Sequence, residues 1–376
     1  MTELSDVKSK SGDGCGANVF VVETPLQLLN AIEAKQVCQL KNNHLVVRIG
    51  GTGFSPNGLK ALVGMSSWDG VHYLKFKNAT TEWESSFFGR RLLGRLQSCA
   101  YDIQRIINRH KVDRLAAKFA GAKRIFLGNY LRGFQSYMRH FANRAGYEQL
   151  FLLDDGTDVL LICKARREVH DSKPETESGF RLKDRLQRYF VDWDEKEAES
   201  VTFFTAYELQ PPSCDRVIKN KYQYLRDAAA NSTRSDEVYF LGQSLVEDGY
   251  VSIDFYLHQL RAIKNYYKNG QLIYIPHPRQ ATWLMKKIEE AVGIQVRPCT
   301  LPIECEVALA KSKPAAIASF FCSALQSCKA ILGKEILIHS FYIEPEHVCT
   351  SHELVREAYR YFEVIADSGF TLVKVY

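Results

Sequence analysis

Short apolar runs that alternate with helix-like segments constrain the fold of this chain more than any other feature. Residues 150–153 (Leu-Phe-Leu-Leu) and 272–275 (Leu-Ile-Tyr-Ile) carry no charged side chain, which predicts strands covered on both faces, as in parallel sheets. Further strands are predicted at residues 18–23, 44–48, 73–77, 124–128, 238–242, 315–320 and 335–339, and helices from Pro25, from about Trp83, and at 255–267 and 281–292. This alternation predicts an α/β fold with parallel sheets.

The chain is long enough for two such domains. It has 376 residues, of which 46% are hydrophobic and 24% charged, as in ordinary globular proteins with domains of about 150–200 residues. The composition turns polar after residue 163, and Pro211-Pro212 marks a second break. We therefore predict a disordered leader at residues 1–17, a first domain at 18–225 and a second at 226–376, whose last helix could return to the first domain.

Polar motifs follow the two apolar runs directly. Asp154-Asp155-Gly156 comes after residues 150–153, and His277 stands between two prolines after residues 272–275. Ligands of α/β sheets bind beyond the carboxyl ends of the strands, so a carboxylate pair and a histidine are candidates for catalysis. The alternative for the first motif is a simple turn, because Asp and Gly favour turn geometry. The alternative for His277 is an extended loop.

Two weaker signals lie in the second half. Gly242-Gln243-Ser244 follows a predicted strand and could offer backbone N–H groups to a phosphate, but it lacks the lysine of a P-loop. Cys322 and Ser323 stand where another strand meets a helix, a position that binds phosphate oxygens or simply caps the helix.

Cysteine usage and the N-terminus bear on the compartment. Ten cysteines are scattered along the chain without a metal-type spacing, which predicts free thiols in a reducing cytoplasm. The N-terminus lacks the basic start and apolar stretch of a signal peptide, and no apolar stretch approaches the ~18 residues of a membrane helix. We expect a cytoplasmic protein that is soluble or peripheral.

The basic segment from Arg90 to Arg124 predicts an anionic partner. It contains ten Lys and Arg residues against Asp102 and Asp113, and such a face attracts anions. The candidates are the inner membrane, a charged glycolipid or nucleic acid, and the alternative is a solvated helix face. Nucleic acid is disfavoured because no recognition module is present.

The motifs taken together are more specific than each alone. Asp154-Asp155-Gly156, His277-Pro278 and the Ser-Ala-Leu turn that starts at Ser323 resemble the bacterial sialyltransferases and polysialyltransferases, most closely the lipooligosaccharide and capsular branches. Residues 22–33, 240–245, 274–279 and 302–304 are also similar to that group, so the resemblance covers about residues 18–325. One departure is Cys322, which stands where the group usually has the first of two adjacent hydroxyl residues.

The resemblance implies a GT-B type architecture, with two Rossmann-like domains facing each other across a cleft. It implies an acceptor site in the first domain and CMP-sialic acid in the second, with inverting, metal-independent transfer to a hydroxyl of lipooligosaccharide, O-antigen or capsule, and no cofactor. The alternatives are another CMP-activated acid sugar, such as Kdo or a related nonulosonate, and a non-catalytic glycan-binding protein.

The resemblance also implies roles for individual residues. Asp154 or Asp155 is the general base, with a slight preference for Asp154, and His277 stabilises the leaving phosphate. The expected donor-binding residues are Gly242, Gln243, Pro276, Pro278, Arg279, Glu304, Ser319, Cys322 and Ser323. The expected acceptor-side residues are Thr24, Pro25, Gln27 and Gly156.

Overall fold

A computed structural model describes residues 16–49, 56–76, 90–131, 136–171, 193–333 and 336–375, with the backbone alone for 56–58, 90–102 and 171. The chain divides into two compact units. The first takes its described residues from Met1–Thr52 and Ser66–Lys219, and the second from Gly53–Met65 and Asn220–Tyr376. The division falls after Lys219, where the sequence led us to expect it after residue 225. The predicted leader lies outside the described residues except for Gly16 and Ala17, and Ala17 is buried.

The first unit is built on a parallel sheet of seven strands in the order β3-β2-β1-β4-β5-β6-β7. The strands are β1 (Asn18–Val22), β2 (Asn43–Ile49), β3 (Gly70–Lys75), β4 (Ala122–Leu127), β5 (Tyr147–Leu153), β6 (Thr202–Thr205) and β7 (Arg216–Lys219). Stacked rings of Phe20, Phe126 and Phe151 cross the three central strands, with centroids 4.3 and 4.4 Å apart. These apolar contacts fix the register of β1, β4 and β5.

The second unit repeats this design with a parallel sheet of six strands in the order β11-β10-β9-β13-β14-β15. Its strands are β9 (Glu237–Leu241), β10 (Gln271–Ile275), β11 (Gln295–Val296), β13 (Ala316–Ser319), β14 (Leu337–Phe341) and β15 (Phe370–Val373), and a separate parallel pair is formed by β8 (Thr233–Arg234) and β12 (Ser312–Lys313). Phe240, Tyr274 and Phe320 form its aromatic centre, with Phe240 5.9 Å from Tyr274 and 5.4 Å from Phe320.

Helices connect the strands in both units. They are α1 (Pro25–Val37), α2 (Pro56–Gly64), α3 (Arg90–Ala116), α4 (Tyr137–Ala145), α5 (Asp158–Asp171), α6 (Gln223–Ala229), α7 (Ile253–Tyr266), α8 (Thr282–Val292), α9 (Ile303–Leu309), α10 (Ala324–Leu332) and α11 (His352–Ile365). The last helix, α11, packs on β15 of its own unit through Phe362 and Phe370, whose rings are 5.1 Å apart. In the part of the chain that the structure describes, no helix is both long and apolar enough to cross a membrane.

The predicted α/β class with parallel sheets is confirmed. Strands β6 and β7 were not predicted, because β6 is four residues long and β7 begins and ends with a charged residue. In both large sheets the first strand, β1 or β9, lies in the interior. The chain adds strands on one side of it before it returns to the other side. Ligands bind at such switch points, beyond the carboxyl ends of the strands. The switch points are β1/β4 in the first unit and β9/β13 in the second.

Candidate functional site

Asp155 is the carboxylate that lies accessible at the rim of the first sheet. It follows β5 and is half-buried, and its two oxygens accept hydrogen bonds from Thr24 Oγ1 (3.3 Å) and Asn129 Nδ2 (2.9 Å). Burial, opposed by the bond from Asn129, raises the pKa of Asp155 to about 6. A carboxyl with this pKa exchanges a proton near neutral pH, as a general base must.

Asp154 is bound into the interior instead. It is 1% exposed, its Oδ2 accepts from the backbone N–H of Ala206 (2.8 Å), and its carbonyl accepts from Asn30 Nδ2 (3.0 Å). Burial raises the pKa of Asp154 to about 7. Its contacts join β5 to the end of β6 and to α1. Of the two carboxylates, Asp155 rather than the slightly preferred Asp154 is therefore the one that a ligand could reach.

The predicted acceptor-side residues form the start of α1. The Thr24 hydroxyl accepts from the backbone N–H of Gln27 (3.2 Å), and Gln27 Oε1 accepts from the backbone N–H of Thr24 (3.4 Å) and of Glu23 (2.8 Å). Pro25 opens the helix at its first position. This capping box holds the Thr24 hydroxyl beside Asp155. Gln27 is fully buried, so it supports the rim from beneath.

Gly156 completes the turn after the two aspartates. Its φ of +65° lies in the left-handed region, where a side chain would be strained. The turn hypothesis and the catalytic hypothesis for Asp154-Asp155-Gly156 are therefore compatible, because the turn presents Asp155 at the rim.

Asn129 is a site residue that the sequence analysis missed. It is 1% exposed and follows β4, the neighbour of β5. Its amide Nδ2 donates to Asp155 (2.9 Å) and to Asp158 (3.3 Å), while its Oδ1 accepts from the backbone N–H of Leu131 (2.8 Å). Asn129 thus fixes the direction of the Asp155 carboxylate. The available signal was its position one residue after the predicted strand 124–128.

The rim of the second sheet begins with Gly242, which follows β9. A Cβ at this position would come within 2.3 Å of the Tyr274 hydroxyl and 2.4 Å of Gln280 Oε1. No side chain fits there, so the backbone passes close over the polar network beneath it.

That network consists of Gln280, Tyr274 and Tyr256, and the sequence analysis did not single it out. Gln280 Oε1 accepts from the backbone N–H of His277 (2.9 Å), and Gln280 Nε2 donates to the carbonyl of Gln243 (3.1 Å). The Tyr274 hydroxyl bonds to Gln280 and to the Tyr256 hydroxyl. Gln280 therefore joins the two loops that carry the predicted donor residues Gln243 and His277.

His277 is half-buried after β10, in the loop that includes Pro276 and Pro278. Its Nδ1 accepts from the backbone N–H of Arg279 (3.2 Å), which leaves Nε2 to carry the proton of the neutral ring. Burial and the nearby Arg279 guanidinium lower the pKa of His277 to about 4. The free protein therefore presents a neutral imidazole that can donate one hydrogen bond through Nε2.

Arg279 supplies a positive charge at this rim. Its side chain is 49% exposed and pairs with Asp248 (3.3 Å), which also accepts from the Ser244 hydroxyl (2.6 Å). This exposed ion pair positions the guanidinium more than it stabilises the fold.

The hydroxyl and thiol residues at the end of β13 and after it differ in their surroundings. Ser319 is fully buried, and its hydroxyl donates to the carbonyl of Leu241 (2.6 Å). It ties β13 to β9, and its burial argues against the predicted contact with phosphate. Ser323 is half-buried at the start of α10, and its side chain makes no capping bond there. Burial raises the pKa of the Cys322 thiol to about 11, so Cys322 stays neutral.

Glu304 lies in the first turn of α9 and is 4% exposed. It accepts a hydrogen bond from the Ser327 hydroxyl of α10 (2.6 Å), and burial raises its pKa. Its contacts hold α9 against α10 behind the Cys322-Ser323 loop. A direct contact with a donor stays a prediction.

The described residues include no group of three or more His, Cys, Asp or Glu side chains placed to hold a metal ion. Metal-independent transfer stays a prediction. The eight cysteines whose side chains the structure describes are unpaired thiols.

Comparison with solved structures identifies the architecture. The chain is similar to a putative UDP-N-acetylglucosamine 2-epimerase from Listeria monocytogenes, with 8% identity, a TM-score of 0.50, and coverage of 95% of this chain and 92% of that chain. The chain has the GT-B fold.

Two further similarities have lower TM-scores. Phytolacca americana UGT2, complexed with UDP-2-fluoroglucose and pterostilbene, has 11% identity and a TM-score of 0.47 over 96% of this chain and 85% of that one. CalG4, the calicheamicin glycosyltransferase, has 9% identity and a TM-score of 0.45 over 96% and 86%. No protein-family model matches the sequence, and no curated protein matches it.

Proposed function

We propose that the protein is an inverting sialyltransferase that moves sialic acid from CMP-sialic acid to a hydroxyl of a bacterial surface glycan, such as lipooligosaccharide, O-antigen or capsule. The observation that carries the proposal is Asp155, a half-buried carboxyl with a pKa of about 6, held by Thr24 and Asn129 at the rim of a GT-B fold. We expect the enzyme to act in the cytoplasm, without metal or cofactor.

The acceptor side needs a base. A sugar hydroxyl is a weak nucleophile near neutral pH, and a positioned carboxylate that takes its proton accelerates such reactions roughly 10²–10⁴-fold. In this proposal Asp155 takes the proton while the acceptor oxygen bonds to the anomeric carbon. Thr24 and Asn129 keep the carboxylate oriented. A single displacement of this kind inverts the anomeric configuration.

The donor side needs groups that stabilise the departing phosphate. As the bond between the anomeric carbon and the phosphate oxygen breaks, CMP leaves with the electron pair and the negative charge. Two groups can donate hydrogen bonds to this oxyanion: Nε2–H of His277 and the Ser323 hydroxyl. The Arg279 guanidinium adds a positive charge that stabilises it. The approach of an anionic phosphate would also raise the pKa of His277, because an opposite charge favours the imidazolium.

The choice of CMP-sialic acid within the glycosyltransferases rests on the motif resemblance. A transferase of Kdo or another CMP-activated nonulosonate would use Asp155, His277 and Ser323 in the same roles. UDP-activated sugars are the competing donor class, since the similar protein from Listeria monocytogenes is named as a putative epimerase of a UDP-sugar.

The deciding experiment offers the protein CMP-sialic acid, CMP-Kdo and UDP-N-acetylglucosamine in parallel, each with galactosides, sialosides and lipooligosaccharides as acceptors. Products are identified by mass spectrometry, and the new linkage is assigned by NMR. We expect transfer from CMP-sialic acid with inverted configuration. Transfer from the UDP-sugar alone would refute the donor assignment, and the absence of transfer from all three would refute the catalytic function.

A paired variant tests the donor side. His277→Ala should reduce turnover strongly, whereas His258→Ala, which removes an exposed histidine from α7, should leave it unchanged. Equal turnover in both variants would remove His277 from the mechanism.

A further inference from the structure

The outward face of α3 exposes a cluster of isoleucines. Ile103 is 58% exposed, Ile106 43% and Ile107 41%. The spacing of three and four residues places these side chains on one face of a helix. Three neighbouring large aliphatic side chains in water are unfavourable, since each exposed apolar area costs free energy in proportion to its size.

The opposite face of α3 packs against the rest of the first unit. Asn108, Val112 and Ala116 are buried, at intervals of four residues. Asp113 accepts from His140 (3.0 Å) and Arg144 (2.9 Å) of α4, which anchors the helix from the side. The isoleucine face therefore points away from the side on which α3 packs against α4 and the rest of the first unit.

Basic side chains flank this apolar face. Arg114 and Lys118 are exposed along the same stretch, as is the His110 imidazole. Lys111 donates to the carbonyl of Lys75 (2.8 Å) while its side chain stays at the surface. Asp113, one of the two acidic residues between Arg90 and Arg124, is engaged with α4. The side chains of Arg90, Arg91 and Arg95, which the sequence analysis included in the basic segment, lie outside the described residues.

We propose that the outward face of α3, formed by Ile103, Ile106, Ile107, His110 and Arg114, docks on an anionic lipid surface. The isoleucines enter the boundary between head groups and acyl chains, and the cations lie against the lipid phosphates. A helix with an apolar stripe flanked by Lys and Arg binds membranes in this orientation, parallel to their plane. The occupant is anionic because, in the described part of this face, the exposed charged residues Arg114 and Lys118 are positive.

The first test is flotation of the full chain with vesicles. We expect binding to mixed phosphatidylglycerol–phosphatidylcholine vesicles at low salt, weaker binding at high salt because surface charges are screened, and little binding to pure phosphatidylcholine. A parent protein that does not float with the anionic vesicles at low salt would overturn the proposal.

The second test removes the apolar contact. A variant with Ile103→Gln, Ile106→Gln and Ile107→Gln should have an affinity for the vesicles that is lower by about tenfold or more. The matched control carries Val37→Gln, Leu309→Gln and Val364→Gln, which remove three exposed aliphatic side chains elsewhere. Equal binding by the variant and the control would overturn the proposal.

The third test removes charge without touching the isoleucines. Each basic residue near an anionic surface contributes about a fivefold gain in binding, so Arg114→Gln with Lys118→Gln should lower binding about 25-fold, whereas the exposed pair Lys286→Gln with Lys287→Gln should not. Light scattering of the parent and of the isoleucine variant tests the alternative occupant, a second copy of the chain. A dimer that dissociates in the isoleucine variant, without vesicle binding by the parent, would assign the face to a second copy of the chain instead.

Discussion

At the scale of single residues, two adjacent aspartates have different surroundings. Asp154 points into the interior, where the N–H of Ala206 binds it, and Asp155 points to the rim, where Thr24 and Asn129 bind it. Adjacent residues at the end of a strand face opposite sides. Two carboxyls with raised pKa values can therefore have separate roles, one structural and one chemical.

Exchange of each aspartate for asparagine should separate these roles. Asp155→Asn should lower kcat/KM roughly 10²–10⁴-fold, while Asp154→Asn should keep most of the activity and both variants should bind CMP like the parent. In the parent, kcat/KM should rise with pH through about 6, where Asp155 loses its proton. Initial rates between acidic and basic pH measure both effects. Near-normal turnover of the Asp155 variant would contradict the assignment.

Asp154 should make the stability of the protein depend on pH. Its pKa is about 7 in the folded chain and about 3.9 in an unfolded chain, so between these values the folded state holds a proton that the unfolded state has lost. The free energy of unfolding must then fall as the pH rises from about 4 to about 7. Asp154→Asn keeps an acceptor for Ala206 and removes the proton exchange, so it should flatten this decline.

Urea unfolding at several pH values measures the difference. We expect the variant to gain stability relative to the parent at high pH. An identical decline in both proteins would show that Asp154 does not hold a proton in the folded state.

At the scale of secondary-structure elements, the junction between β13 and α10 determines which hydroxyl can reach a phosphate. Ser319 still belongs to the strand and is buried, whereas Ser323 stands at the start of the helix. The N-terminus of α10 offers backbone N–H groups that favour anions. Ser323 is therefore better placed than Ser319 for the predicted role.

Substitutions at this junction should change CMP binding selectively. Ser323→Ala should weaken CMP binding by about 1.5–3 kcal/mol, the value of a hydrogen bond to a charged group. Cys322→Ser restores a hydroxyl where the resembling group has one and should leave activity intact or improve it. Calorimetric titration with CMP measures the first effect and initial rates the second. Severe loss in the Cys322 variant would show that the thiol is needed for packing.

The sequence predicted the strands that form continuous apolar runs, such as 150–153 and 272–275, because burial on both faces leaves a clear signal. It did not predict β6, a short strand in a polar stretch of the sequence, or β7, which begins and ends with a charged residue. The loops at strand ends were predicted as sites, but the direction of each side chain was not. Ser319 is an example. Its hydroxyl is directed inward to the carbonyl of Leu241, a residue distant in sequence, and the local sequence does not reveal this contact.

Asn129 and Gln280 were missed for a related reason. Both act by joining loops that are far apart in the chain: Asn129 bonds to Asp155 and Gln280 to Gln243. An amide side chain after a strand has no distinctive pattern of its own. Its role becomes visible once the neighbouring strands are known.

At the scale of the whole molecule, the GT-B fold contains two parallel sheets whose strand orders agree except for the additional edge strand β7 of the first sheet. CMP should raise the melting temperature of the protein, because a ligand that binds the folded state at 100 times its Kd stabilises it by about 2.7 kcal/mol. UDP should have a smaller effect at the same concentration. Thermal unfolding with each nucleotide measures this, and the absence of any CMP effect would favour the non-catalytic glycan-binding alternative.

The second unit contains a piece of the first half of the chain. The described residues 56–65 belong to it, and Leu59 and Leu62 of α2 are buried. The carbonyl of Met65 accepts a hydrogen bond from the Tyr224 hydroxyl (3.5 Å). During synthesis α2 leaves the ribosome long before Asn220–Tyr376 exists. The apolar side chains of α2 can pack in the second unit only after the C-terminal half of the chain has been synthesised. A cut after Lys219 would accordingly yield two fragments, and the second would lack a helix of its own unit.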